Sequence, residues 1–272
     1  MARLPPEVLA YYGAGLERDR LAQGVFKLER ARTEEILQRF LPPPPASVLD
    51  VGGGSGVYAF GLAERGYAVG LVDPVPLHVE QARAVEADRG VRLAEIQEGD
   101  ARALPHGDGS QDAVLLLGPL YHLTEREERL LALREARRVL RRGGRLIAAA
   151  ISRFASLLAG IFEGLGADEA FSAIVEADLR DGQHRNRTGR IEYFTTAFFH
   201  HPDELRAEVG EAGFEMESVL GIEGPFWTLQ DFEAAWADAA RRGPLLAAAR
   251  AVESEPSLLG ASAHLMAVGR PR

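Results

Sequence analysis

The 272-residue chain contains no cysteine, which excludes disulfide frameworks, thiolate metal sites and cysteine nucleophiles. It has no uninterrupted apolar stretch long enough to span a bilayer and no charged-then-apolar leader, so a cytoplasmic protein without membrane contact is expected. Positive charge is scarce: 31 Lys and Arg stand against 40 Asp and Glu, a formal balance of −9. Nucleic-acid affinity comes from cations that displace counterions from phosphates, so no nucleic-acid partner is expected. Lysine is nearly absent, Lys27 being the only one, and with the many alanines this reads as compositional bias rather than as a site. What remains is an ordinary globular composition, long enough for one elaborated domain or a domain with a cap.

Residues 5 to 40 carry apolar positions at helical spacing (Leu21, Val25, Leu28, then Ile36, Leu37, Phe40), which predicts two or three helices. The run "LPPPPAS" stops them, because consecutive prolines cannot continue a helix. From Ser47 the pattern changes to short apolar runs separated by helical segments: "SVLDV", "AVGLVD", "VRLAEIQ", "DAVLLLG" and "GRLIAAAI". Such alternation predicts an α/β fold with a parallel sheet covered on both faces. Thr124 and Glu127 read as a capping box opening a helix striped by Leu130, Leu133, Ala136 and Leu140. Further on come helical residues 154 to 164, a polar loop "DGQHRNRTG", an aromatic stretch "IEYFTTAFFHH" and a helix from Pro202 to about Ala212. A strand "FEMESVLGI", a helical region over 228 to 254 and a closing strand "SAHLMAVGR" complete the chain.

The stretch "VLDVGGGSG" runs a buried strand straight into glycines. A glycine-rich turn between strand and helix lets a ligand touch backbone amides, as dinucleotides and S-adenosylmethionine both do. The dinucleotide spacing G-x-G-x-x-G fails, because Val57 stands at the third place. The spacing is D-x-G-x-G-x-G, from Asp50 through Gly52 and Gly54 to Gly56, with Gly53 between. A carboxylate at Asp50 suits a ligand with an ammonium group and repels a pyrophosphate. Asp73, in "GLVDP" about 20 residues on, can accept from both ribose hydroxyls, with Pro74 behind it. Asp100 can accept from an adenine amine while Ala101 offers an amide. Duller readings compete: Gly53 as a packing glycine, Asp50 as a loop-ordering acid, Asp73 as a helix cap.

The segments "VLDVGGGSGVYAFGLAERGYAVGLVDP", "EGDARALPHGDGSQDAV" and "EARRVLRRGGRLI" resemble the motifs of class I S-adenosylmethionine-dependent methyltransferases, in the branch of ubiquinone and menaquinone biosynthesis enzymes. The resemblance covers about residues 46 to 151. It implies a Rossmann-like, doubly wound seven-stranded sheet in the order 3-2-1-4-5-7-6 with strand seven reversed, and "SAHLMAVGR" suits that strand. It implies S-adenosylmethionine as cofactor, with Asp73 on the ribose, Asp100 and Ala101 on the adenine, and Gly52 to Gly56 by the methionine end. It further implies an arginine from the amino-terminal helices on the methionine carboxylate. Arg32 is the candidate, Arg30 its competitor, and Tyr12 a lid residue. The expected organisation is an amino-terminal helical lid over 1–45, a core over 46–151, a cap insertion over 152–200, and the rest of the core over 201–272 with a helical insertion at about 223–258.

In open parallel sheets the reacting group lies beyond the carboxyl ends of the strands. Here that is "LLGPLYHL", residues 116 to 123, with Leu117 and Gly118 against the cofactor. The N-P-P-Y type sequence that base-modifying methyltransferases resemble one another in is missing, since this chain has Gly118, Pro119, Leu120 and Tyr121. No carboxylates stand there for a hard cation, so no metal is expected. His122 and Tyr121 are the candidate catalytic residues, His200 and His201 the alternatives. Tyr193, Phe194, Phe198, Phe199, Phe226 and Trp227 suit an apolar pocket for a small organic molecule, and equally a lid or a homodimer contact. The leading expectation is a metal-independent methyltransferase acting on a small molecule. The alternatives are a nicotinamide-dependent (NAD) oxidoreductase and a regulatory protein that binds the cofactor without activity.

Overall fold

The computed structural model describes residues 5–272, without the side chains of residues 16–18; residues 1–4, the start of the expected lid, lie outside the described residues. Helix α1 (Pro6–Gly13), a 3-10 turn (Leu16–Ala22) and helix α2 (Phe26–Phe40) precede the proline run. The core then alternates: β1 (Ser47–Val51), α3 (Val57–Ala63), β2 (Ala68–Asp73), α4 (Pro76–Arg89), β3 (Glu95–Glu98), β4 (Gln111–Leu116), α5 (Pro119–His122), α6 (Arg126–Val139) and β5 (Leu140–Ser152). The remainder is α7 (Ala155–Phe162), α8 (Glu169–Asp181), β6 (Gln183–His184), β7 (Ala197–His200), α9 (Pro202–Glu211), β8 (Phe214–Gly221), α10 (Phe232–Ala237), α11 (Ala239–Val252) and β9 (His264–Pro271). No described helix is long and apolar enough to cross a membrane.

The strands run β3-β2-β1-β4-β5-β9-β8, parallel as far as β5. Strand β9 is antiparallel to both β5 and β8. This is the expected doubly wound order with the last strand reversed. Two further strands were not expected: Ile151 and Ser152 of β5 pair with Phe199 and His200 of β7, which pairs with β6. They come from the segments read as a polar loop and an aromatic stretch.

Period-two alternation explains why the sheet is buried on both faces. Leu49, Val51, Val72, Val114 and Leu116 pack with Leu133 and Ala136 of α6 and Leu205 and Val209 of α9. Val48, Val69, Leu71, Ala113 and Leu115 pack with Ile36 and Leu37 of α2 and Phe60 of α3. These strands run parallel, so their carboxyl tips collect at one edge, where loops carry the polar residues.

Some local expectations change. The capping box at Thr124 does not form: α6 starts at Arg126, and Glu125 precedes it without a side-chain cap. The reason is Arg129, which is buried and draws the carbonyls of Leu123 and Thr124 to its guanidinium at 2.9 Å each. A capping box forms instead at His201 and Glu204, opening α9. The helical region from 228 breaks at Asp238, whose side chain accepts from the Ala240 amide and so starts α11 afresh.

Candidate active site

Strand β1 delivers Asp50 to the carboxyl edge, where its side chain is fully buried. Both its carboxylate oxygens lack a hydrogen-bond partner. Burial, helped by the nearby Asp73 charge, pushes its acid dissociation up to about 7. The chain then bends through Gly52, Gly54 and Gly56 at φ of 71°, 58° and 88°, a region L side chains avoid. Gly53 is required for a different reason, because a Cβ there would stand 2.7 Å from Asp50 Oδ2. The buried acid and the side-chain-free bend beside it are thus one packed feature.

Asp73 ends β2 and orders the bend. Its Oδ2 accepts from the Gly54 amide at 2.8 Å, and its Oδ1 accepts from the Val75 amide at 2.9 Å and faces His78 Nδ1 at 3.1 Å. Asp100 is claimed by Arg102, which donates its amide and Nε to Oδ1 at 2.8 and 2.9 Å and a terminal nitrogen to Oδ2 at 2.6 Å. Although burial pushes Asp100 up, the Arg102 guanidinium and amide hold it below the usual carboxylate range.

Asp50, Gly52, Gly53, Gly54, Asp73, Pro74, Asp100, Ala101, Leu117, Gly118, Tyr121, His122 and Tyr12 all line one cavity, a narrow slot of about 150 Å³. Gly56 does not; it precedes α3 and packs on Phe60. Arg32 does not either, contrary to expectation. It is fully buried on the inner face of α2, paired with Glu35 and Glu253 and donating Nε to the Ile222 carbonyl at 3.2 Å. Arg30 pairs with Glu34 at 2.9 Å, and among the described residues the arginine on the cavity wall is Arg20.

His122 Nε2 accepts from the Tyr12 hydroxyl at 2.5 Å. Its Nδ1 lies 3.4 Å from the Thr196 carbonyl, and burial pushes the imidazole down to about 4, so it is neutral near pH 7. The alternatives lie elsewhere. His200 is fully buried against Glu208 Oε2 at 3.2 Å, and His201 occupies the entrance of α9; neither lines this slot or the cavity beside it.

That second cavity, of about 540 Å³, falls within the usual range for ligand sites. Tyr11, Phe171, Tyr193, Phe194, Phe199 and Trp227 are among its walls. Among the described residues four line both cavities: Tyr12, Arg20, Tyr121 and His264. At this junction Arg20 grips Glu29 at 2.6 and 3.1 Å, and His264 Nδ1 meets Glu223 Oε1 at 2.6 Å. Among the described residues Glu29, Glu223 and His264 are one group that could bring three ligand atoms within 4.8 Å. Those atoms are already engaged with one another and with a guanidinium, an arrangement of alternating charge rather than a cation cage.

A family profile described as "Methyltransferase domain" matches residues 49–148. A ubiquinone/menaquinone biosynthesis C-methyltransferase of Acidiphilium cryptum is 31% identical over 213 residues, 76% of this chain and 80% of that protein. The chain belongs to the class I S-adenosylmethionine-dependent methyltransferases. A ubiquinone biosynthesis O-methyltransferase of Azorhizobium caulinodans is 30% identical over 175 residues, 64% of this chain and 61% of the relative's own length. The fold is also that of an S-adenosylmethionine-dependent methyltransferase from Methanosarcina mazei, at a TM-score of 0.58 and 16% identity over 87% of this chain and 96% of that one. The oxidoreductase alternative falls with this membership.

The residues of this methyltransferase fit an adenosyl cation. Two orphaned, buried carboxylate oxygens at Asp50 favour a ligand carrying positive charge, and the side-chain-free bend beside them leaves room for it. Sequence reasoning missed Arg20, Glu29, His78, Glu223 and His264 of the lining. His264 carried a signal in the topology. It opens the reversed strand and pairs with Ile151, so it stands at the carboxyl edge of the parallel strands.

Proposed function

We propose that this methyltransferase moves a methyl group from S-adenosylmethionine onto a small organic molecule seated in the 540 Å³ cavity, with no metal taking part. The observation that carries the reading is the common wall of the two cavities, because in-line transfer needs donor and acceptor on either side of one short gap. When bound, the cofactor supplies an electrophilic methyl carbon on a cationic sulfur.

The chain's own residues bind and orient. Asp50 takes the ammonium end beside Gly52, Gly53 and Gly54. Asp73 accepts from the ribose hydroxyls while it keeps the Gly54 amide, since a carboxylate offers about four acceptor sites. Asp100 and Ala101 face the adenine, and Pro74, Leu117 and Gly118 complete the wall. Tyr121 stands at the junction with its hydroxyl donated to the Leu117 carbonyl at 3.2 Å, and Tyr12 is held there by His122. Residues up to 45 serve as a lid, and the insertions at 152–200 and about 223–258 shape the acceptor cavity. The test is incubation with labelled S-adenosylmethionine and a metabolite extract, with and without a chelator. Label should enter the small-molecule fraction equally in both. Cofactor binding without transfer over a broad set of acceptors would favour a binding protein, and loss of transfer on chelation would remove the metal-free claim.

A further inference from the structure

The junction holds one imidazole that is part of both cavities, and its surroundings orient it for a task. Glu223 is buried and fixed by three donors: the His264 amide at 3.0 Å and the Ser262 hydroxyl at 2.7 Å on Oε2, and His264 Nδ1 at 2.6 Å on Oε1. Ser262 is fixed in turn, its oxygen accepting from the Glu223 and Gly224 amides at 3.0 and 3.1 Å. Nδ1 is therefore committed to the carboxylate. Among the described residues Nε2 is given no hydrogen-bond partner, and the side chain keeps 16% of its exposure where the two cavities meet. A carboxylate on one nitrogen and an open second nitrogen beside the reacting gap is the arrangement by which proteins aim an imidazole at substrate.

We propose that His264, held by Glu223, is a catalytic residue whose Nε2 donates a hydrogen bond to an ionised oxygen, carboxylate or phenolate, on an otherwise apolar acceptor, and that this oxygen is the nucleophile. The inference rests on the methyltransferase reading and names its substrate class. Two observations, the charge state of His264 and the engagement of the other imidazoles, choose an anion over a neutral nucleophile. Among the described residues the charged groups facing His264 are Glu29 from α2, Glu223 after β8 and Arg20 from the 3-10 turn. Burial pushes the imidazole down, but the two carboxylates outweigh it and raise it to about 9, so near neutrality it is a donor and no base. Of the other imidazoles on the cavity walls, His122 already accepts from the Tyr12 hydroxyl on Nε2, His78 is buried against Asp73, and His184 is held between Asp178 and the Tyr193 carbonyl. An oxygen that arrives ionised needs none of them. The oxygen–methyl bond forms, the sulfur–methyl bond breaks with its electron pair returning to sulfur, and the negative and positive charges cancel with no proton to move. The aromatic lining receives the apolar body of the acceptor.

The experiment uses the full chain saturated with S-adenosylhomocysteine, with 2-naphthoate, 1-nitro-2-naphthol, 2-naphthylmethanol and 2-naphthylmethylammonium as probes. Calorimetry on the wild type, His264→Gln and Glu223→Gln reads their affinities, and affinity for S-adenosylhomocysteine is measured in each. Naphthoate should bind the wild type at least tenfold tighter than naphthylmethanol. That preference should vanish in His264→Gln, shrink in Glu223→Gln, and fade in the wild type as pH rises through about 9, where the imidazole loses its charge. The nitronaphthol ionises well below the imidazole, so a gain in its affinity on ionisation marks the phenolate source, and none marks the carboxylate. Equal naphthoate binding by wild type and His264→Gln, no naphthoate binding by the wild type, or a preference for the ammonium probe would overturn the proposal. Failure of the wild type to bind S-adenosylhomocysteine would instead overturn the reading beneath it, and the proposal with it.

Discussion

Asp73 carries two duties with one carboxylate. It fixes the bend through the Gly54 amide and lines the slot where a ribose is proposed to sit. Asp73→Ala removes both, so affinity for S-adenosylhomocysteine should fall by about 1–3 kcal/mol, the range for hydrogen bonds to a charged partner and for groups left unpaired. Calorimetry reads it, and an unchanged affinity would mean the ribose is held elsewhere. At this scale the glycines and acids were legible because their spacing is local. His78 and Arg102 were not, since a histidine five residues past Asp73 and an arginine two past Asp100 acquire meaning only when the turns fold back on the carboxylates.

At the scale of elements, α2 shows how a correct helix can carry a misread residue. Leu28, Arg32 and Ile36 are spaced by four and share the buried stripe with Thr33 and Leu37, so the periodicity itself put Arg32 inside. There it ties α2 to Glu253 beyond α11 and to the Ile222 carbonyl beyond β8. Arg32→Met leaves buried partners short of a cation, and about 3 kcal/mol of stability should be lost in urea denaturation. Binding of S-adenosylhomocysteine by the folded fraction should persist, whereas selective loss of binding with full stability would return Arg32 to the cofactor. The long buried strands β1, β2, β4 and β5 were readable from apolar runs. Strands β6 and β7 were not, because each is two to four residues long and is held by pairing, β7 to the tip of β5 and β6 to β7, rather than by its own pattern.

At the scale of the whole molecule, chain order and spatial order diverge where the site is made. Asp50, Asp73 and Asp100 come from one contiguous stretch and were visible together. The junction draws Tyr12 and Arg20 from the start of the chain, Tyr121 from its middle and His264 from its end, which only the reversed last strand brings to the same edge. The negative balance of the chain finds a local counterpart in the slot, where burial keeps Asp50 protonated below about pH 7 and a bound cation would favour its ionised form. The most direct measurement is calorimetry of S-adenosylmethionine binding at pH 5.5 and 7.0, below the range in which the ligand's own amine titrates, on the wild type and Asp50→Asn. Wild-type affinity should rise roughly tenfold across that interval as the binding-competent carboxylate form becomes populated. Asp50→Asn should bind more weakly, with no such rise; a wild-type affinity that is flat with pH and untouched by the substitution would contradict the account.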